Sequence, residues 1–102
     1  MKKIEGTMEN FEELIQGDFV VVKFFATWCG PCKMLAPVVE EVAKEMDLTL
    51  VEVDIDNSVD IASQYAVMSV PTLMIFKKGE LKNAHTGFMP KEQLIKWIEE
   101  SK

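Results

Sequence analysis

Phe19-Val20-Val21-Val22-Lys23-Phe24-Phe25-Ala26-Thr27-Trp28-Cys29-Gly30-Pro31-Cys32 is the stretch that decides the fold. Its first eight residues, Phe19 to Ala26, are dense in β-branched and aromatic side chains. Such a run reads as a central strand covered on both faces. The residues that follow the second cysteine, Lys33 to Met46, carry Met34, Leu35, Val38, Val39, Val42 and Met46 at helical spacing, a stripe expected to be buried. Cys29 and Cys32 therefore sit where a strand hands over to a helix. They are the only cysteines of the chain.

That placement has chemical consequences. A helix starting near Cys29 aims free N–H groups and the positive end of its dipole at the first sulfur. Both favour the thiolate, which is the attacking species in disulfide exchange. Cys32 falls on the same side of the first turn, within reach of a mixed disulfide formed at Cys29. Pro31 lies where a helix has a spare N–H, so it stiffens the turn at little hydrogen-bonding cost. Gly30 leaves room beside the sulfur, and Trp28 can pack beside the pair. Two other readings of the cysteines weigh less. Tetrahedral zinc needs four ligands, and His85 is the only other soft one, so no metal is expected. A permanent structural bridge over so short a loop, in a reducing compartment, is also disfavoured.

The rest of the chain sets bounds. At 102 residues it is expected to form one domain, residues 1–102. Its formal net charge is −6 with no arginine, which disfavours nucleic acid and anionic membrane as partners. After Met1-Lys2-Lys3 no apolar run follows that would serve as a signal peptide or span a membrane, so a cytoplasmic location is the expectation.

Outward from the motif, Lys2–Glu5 reads as a short first strand. Thr7 is expected to cap a helix over Met8–Gln16, with Phe11, Leu14 and Ile15 inward and Gly17 ending it. Pro37 should kink the helix after the motif. Further strands are expected over Thr49–Ile55, Thr72–Phe76 and Leu81–Thr86, the last two joined by the turn Lys78-Gly79-Glu80. Val59–Tyr65 reads as a short helix and Pro90–Glu100 as a closing one with Leu94, Trp97 and Ile98 inward. Met89 is a poor cap for that helix. The order β-α-β-α-β-α-β-β-α predicts an α/β fold, a mixed sheet with helices on both faces.

Taken together, Trp28-Cys29-Gly30-Pro31-Cys32, Val70-Pro71-Thr72, Lys77-Lys78-Gly79-Glu80 and Thr86-Gly87 resemble the motifs of the thioredoxin family, and the likeness runs over nearly the whole chain. The resemblance implies the thioredoxin fold, a central mixed β-sheet of about five strands flanked by about four helices. It implies a protein thiol–disulfide oxidoreductase with Cys29 as nucleophile and Cys32 as resolving cysteine. The Gly-Pro pair points to a reductant. Pro71 is expected to follow a cis peptide bond and to face the cysteines, with Val70 offering its backbone to the substrate chain. Trp28, Gly30, Pro31, Val70, Pro71, Gly87 and Phe88 would form a shallow apolar groove. No cofactor is implied beyond the Cys29–Cys32 dithiol and disulfide. The implied partners are disulfide-containing clients and a thioredoxin reductase, NADPH- or ferredoxin-linked, acting on a monomer. Two rivals stay open: an oxidase or isomerase, and a binding module in which the sulfurs are incidental.

Lys23 and Glu52 depart from the family pattern. Where the family buries an aspartate behind the second cysteine, this chain has Lys23, and the family's usual lysine partner falls at Glu52. Phe25 replaces the family's other tryptophan. The pair looks reversed. A lone buried ammonium would lose its charge or destabilise the fold, and pairing with Glu52 avoids that. A cation favours thiolate: at roughly 6 Å and an effective dielectric of about 20, Coulomb's law gives ~2.8 kcal/mol, or ~2 pKa units before Glu52 cancels much of it. Glu52 is expected to handle the proton of Cys32, and the thiols to feel less upward pressure than beside an aspartate. A purely structural ion pair, or a lysine reaching out to solvent, is the plainer alternative. His85 reads as a solvated surface histidine and Lys33 as a solvated lysine. Met68 and Met89 are candidates for an adaptable rim around the cysteines.

Overall fold

A computed structural model describes residues 1–102. Nine elements follow in chain order: β1 Lys2–Glu5, α1 Phe11–Leu14, β2 Val20–Phe25, α2 Gly30–Glu45, β3 Thr49–Asp54, α3 Val59–Gln64, β4 Thr72–Lys77, β5 Glu80–Thr86 and α4 Lys91–Glu100. They are the elements expected from the sequence. The strands form one sheet in the order β1-β3-β2-β4-β5. The strands β1, β3 and β2 run parallel, while β4 is antiparallel to β2 and β5 to β4. The apolar run of β2 thus sits at the centre, as its composition requires.

Alternation along the strands divides the core into two layers. Val20, Val22 and Phe24 of β2 pack with Val51 and Val53 of β3, under Phe11 and Ile15 at α1 and Ile61 of α3. Val21 of β2 and Leu50 of β3 point the other way, under Leu35, Val39 and Val42 of α2 and Leu94 and Ile98 of α4. By the same alternation Lys23 and Glu52, register partners on β2 and β3, lie on the α2 face. The connection between β4 and β5 is reduced to Lys78 and Gly79, both with positive φ. That is the handedness a two-residue hairpin requires.

Several boundaries and burials differ from the expectations. The first helix spans only Phe11–Leu14, and Thr7 does not cap it. Instead the Thr7 N–H donates to Asn10 Oδ1 at 2.7 Å, and the Asn10 side-chain amide donates to the Glu5 carbonyl at 3.0 Å. The asparagine folds Met8 and Glu9 into a turn that competes with helix. Met34 is exposed, although it shares the helical spacing of its buried neighbours. It sits at the edge of the stripe, one turn from the cysteines, where no element covers α2. Met89 is fully buried against Leu94 and Ile98 and belongs to the core, while Pro90 takes the cap position. That removes Met89 from any rim. His85 is half-buried, its ring 6.2 Å from that of Trp97.

Candidate active site

The cysteines occupy the start of α2, and Cys29 is its N-cap residue. Its extended backbone (φ −88°, ψ 115°) turns the side chain back over the helix, so that the Cys32 N–H donates to Cys29 Sγ at 3.2 Å. Pro31 lies in the first turn, where its missing N–H costs nothing. Cys29 and Cys32 are joined as a disulfide, with Cα atoms 5.2 Å apart. The helix N-terminus thus places its partial positive charge at the first sulfur, the arrangement that stabilises a thiolate there.

Three loops converge on that sulfur. The Val70–Pro71 peptide bond is cis, as the resemblance implied. The Val70 carbonyl oxygen lies 3.6 Å from Cys29 Sγ. Thr72 braces this loop by donating its hydroxyl to the Ser69 carbonyl at 2.7 Å. The Gly87 N–H donates to the Pro71 carbonyl at 2.8 Å and ties the third loop to the second. Gly87 has φ +102°, and the space where a Cβ would stand is empty, as it is at Gly30. Another chain can therefore come close at both glycines.

The sulfurs themselves are not open. In the disulfide, Cys29 is 5% and Cys32 4% exposed, because Ala26, Phe25, Ile55 and Val70 pack around them. Accessibility does not separate the two cysteines; the N–H aimed at Cys29 does. Around this narrow opening, Trp28 is 68% exposed and Phe88, Gly30 and Pro31 are exposed, while Val70 and Gly87 are half-exposed and Pro71 is buried. The residues expected to form the groove are brought to one end of the sheet. Met68 stands fully out in solvent two residues before Val70.

One site residue was missed. The Trp28 indole N–H donates to Asp56 Oδ2 at 2.9 Å, which holds the exposed ring in place. The signal lies in the strand register. Phe25 pairs with Asp54, so the chain beyond β3 runs beside the chain beyond β2, and Asp56 comes level with Trp28.

Behind Cys32 opens a cleft of about 460 Å³ whose walls include Lys23, Phe25, Lys33 and Glu52. Lys23 Nζ and Glu52 Oε2 are 2.8 Å apart, with the lysine side chain 5% and the glutamate 23% exposed. Lys23 Nζ also lies 5.4 Å from the centre of the Phe25 ring. Lys23 does not reach out to solvent, and the reversed pair forms. No group of three or more His, Cys, Asp or Glu side chains is placed to hold a metal ion.

Comparison with known proteins agrees with the fold and this geometry. The family model for Thioredoxin matches residues 2–100. The chain is 45% identical to the thioredoxin of Staphylococcus saprophyticus over 101 residues, covering 97% of each chain. It is 47% identical to that of Chlamydia trachomatis over 93 residues, covering 90% of this chain and 91% of the other. Among solved structures, a mutant thioredoxin from Halobacterium salinarum superposes with a TM-score of 0.90 at 33% identity, covering 98% of this chain and 90% of that one. The match spans nearly the whole chain, and the chain belongs to the thioredoxin family, whose members are disulfide oxidoreductases.

Proposed function

We propose that Cys29 is the attacking sulfur and Cys32 the resolving one in the reduction of client disulfides. The observation that carries this assignment is the Cys32 N–H donated to Cys29 Sγ at the helix N-cap. The Cys29 thiolate attacks one sulfur of the client disulfide. A Cys29–client bond forms, the client S–S bond breaks, and the leaving client thiolate takes up a proton. Cys32 then loses its proton and attacks Cys29 Sγ, the mixed disulfide breaks, and the second client thiolate leaves. Two electrons pass from the protein to the client, and the protein ends as the Cys29–Cys32 disulfide. The electrons reside on the sulfurs, and the family uses its own dithiol and disulfide with no bound cofactor.

The client chain lies along Val70 and Pro71, with Gly30 and Gly87 giving it backbone clearance and Trp28, Pro31 and Phe88 forming the apolar walls. Lys23 and Glu52 tune proton movement at Cys32. Family membership implies client proteins and a reductase that restores the dithiol; that reductase draws on NADPH or ferredoxin. The protein acts as a monomer of one domain, residues 1–102, in the cytoplasm. No helix is long and apolar enough to cross a membrane.

Insulin reduction, followed by turbidity with dithiothreitol as electron donor, tests the assignment. Wild type is expected to accelerate precipitation and Cys29→Ser to lose all acceleration. Cys32→Ser is expected to accumulate a covalent adduct with insulin. If Cys29→Ser traps insulin and Cys32→Ser does not, the roles are reversed. If both variants bind and act on a partner as wild type does, the sulfurs are incidental.

A further inference from the structure

The Lys23–Glu52 pair places two opposite charges in the wall of the same cleft as Cys32. Lys23 is the only charged side chain among the buried residues of the sheet, in a strand whose other members are apolar. A disulfide carries no charge. Reduction creates a thiol at Cys32 that can ionise, and the field in the cleft acts on that ionised form alone. The Lys23 side chain is only 5% exposed in the cleft wall, so water screens its field less than that of a surface charge. Glu52 is the only carboxylate within ion-pair distance of it.

The other charged groups of the cleft are Lys3 on β1 and Lys33 and Glu40 on α2. Lys3 and Glu40 pair with each other at 3.4 Å, and both are partly exposed. Lys33 is exposed. Water screens these three far more than it screens Lys23.

We propose that the Lys23–Glu52 pair is a charge balance that sets the reduction potential of the Cys29–Cys32 couple. The ammonium favours the ionised, reduced form of Cys32, and the carboxylate opposes it. The two are positioning residues, acting on the couple through the electrostatics of the cleft. Removing either charge unmasks the other. Glu52→Gln leaves the ammonium uncompensated, so the dithiol form gains stability and the couple becomes more oxidising. Lys23→Met leaves the carboxylate uncompensated and makes the couple more reducing. The proton leaving Cys32 during resolution crosses the same cleft, so the pH at which resolution speeds up moves down in Glu52→Gln and up in Lys23→Met.

The proposal rests on the redox reading of the cysteines, and the experiment separates the two. The equilibrium constant between each protein and glutathione is measured at about pH 9.5, about one unit above the free cysteine value, where a pKa change of either sign moves the constant. With the pKa of Cys32 moved by about one unit each way, each single variant is expected to shift the constant about five- to tenfold, or ~20–30 mV, in opposite directions. The double variant Lys23→Met/Glu52→Gln is expected to return to within about twofold of wild type. It also covers the case in which Glu52→Gln, with its orphaned buried ammonium, fails to fold. A purely structural pair would lower stability and leave the constant unmoved. Single variants that do not shift the constant, or shift it in the same direction, overturn the charge balance. So does a double variant as far from wild type as Lys23→Met. A wild type with no measurable dithiol–disulfide equilibrium would overturn the redox reading beneath it.

Discussion

The two faces of β2 are made from one strand and do different things. On the α1 and α3 side, Val20, Val22 and Phe24 meet only apolar neighbours. On the α2 side the strand begins the same way with Val21 but continues with Lys23 and the half-buried Phe25, and ends beside the cysteines. The pleat separates them, since successive residues point to opposite faces. One face can therefore be optimised for packing while the other holds a buried charge. Substitutions on the first face should act on stability and leave sulfur chemistry alone. Substitutions of the charged pair on the second face should reach the sulfur chemistry as well.

Phe24→Ala is the strongest way to break that separation. The ring is fully buried at the centre of the apolar layer. Truncation leaves a cavity that the sheet cannot close, and the expected loss is about 3–5 kcal/mol. Urea unfolding of the oxidised protein measures it. Under conditions where the variant is still folded, alkylation of reduced Cys29 should proceed at the wild-type rate. A slowed alkylation would show that the two faces are coupled through the backbone of β2.

That face was legible in the sequence because packing leaves a periodic trace. Val20, Val22 and Phe24 alternate with the other face, and the period names both. The cysteine motif was legible for a different reason: its residue types have few other uses at that spacing. The pairing of Lys23 with Glu52 also came through, because a lysine in an apolar strand needs a counter-charge. What stayed hidden depends on tertiary neighbours. Nothing in the spacing of α2 says that Met34, at the edge of the stripe, lacks a covering element. Met89 looked like a failed cap because its burial depends on how α4 docks on α2. Met8 to Asn10 continue the helical pattern of the acidic, amphipathic run beyond them, with Thr7 at the cap position, and the Asn10 side-chain amide overrides that pattern. Asp56 was invisible until the register of β2 with β3 was known.

Asp56→Ala sharpens the comparison from the other side, with a smaller effect. Trp28 is held by one hydrogen bond to a carboxylate at the surface. Removing it frees the ring at the rim of the groove without opening the core, so stability should stay within about 0.5 kcal/mol of wild type. A lost hydrogen bond of about 1 kcal/mol corresponds to ~5-fold in kcat/KM for insulin disulfides. Paired urea midpoints and reduction rates decide the matter. An unchanged rate would mean that the Trp28 ring contributes to client binding without being held.

The smallest expected effect belongs to Tyr65, at the far side of the apolar layer. Its ring packs against Phe11 at 5.6 Å and Phe76 at 5.4 Å. Partial burial, and then the charge of Glu12, hold the phenol above its usual value of 10.0. The folded state therefore keeps the proton better than the unfolded chain does. The stability this gives is fully present below the unfolded value and is lost as pH rises through the folded one. Phenylalanine keeps the ring contacts and cannot ionise. Tyr65→Phe should then match wild type in stability at neutral pH and lose less of it above pH 10. Lys91 complicates the same window, because hydrogen bonds from its ammonium to Glu45 and then Glu41 raise it from 10.5. Its contribution is likewise lost as pH rises through its folded value, so the comparison is made in a Lys91→Met background. Alkaline unfolding curves that coincide with and without the Tyr65 hydroxyl would mean that the phenol is hydrated in the fold as freely as in the unfolded chain. In either outcome the glutathione equilibrium should not move, because Tyr65 lies on the face of the sheet that the sulfurs do not share.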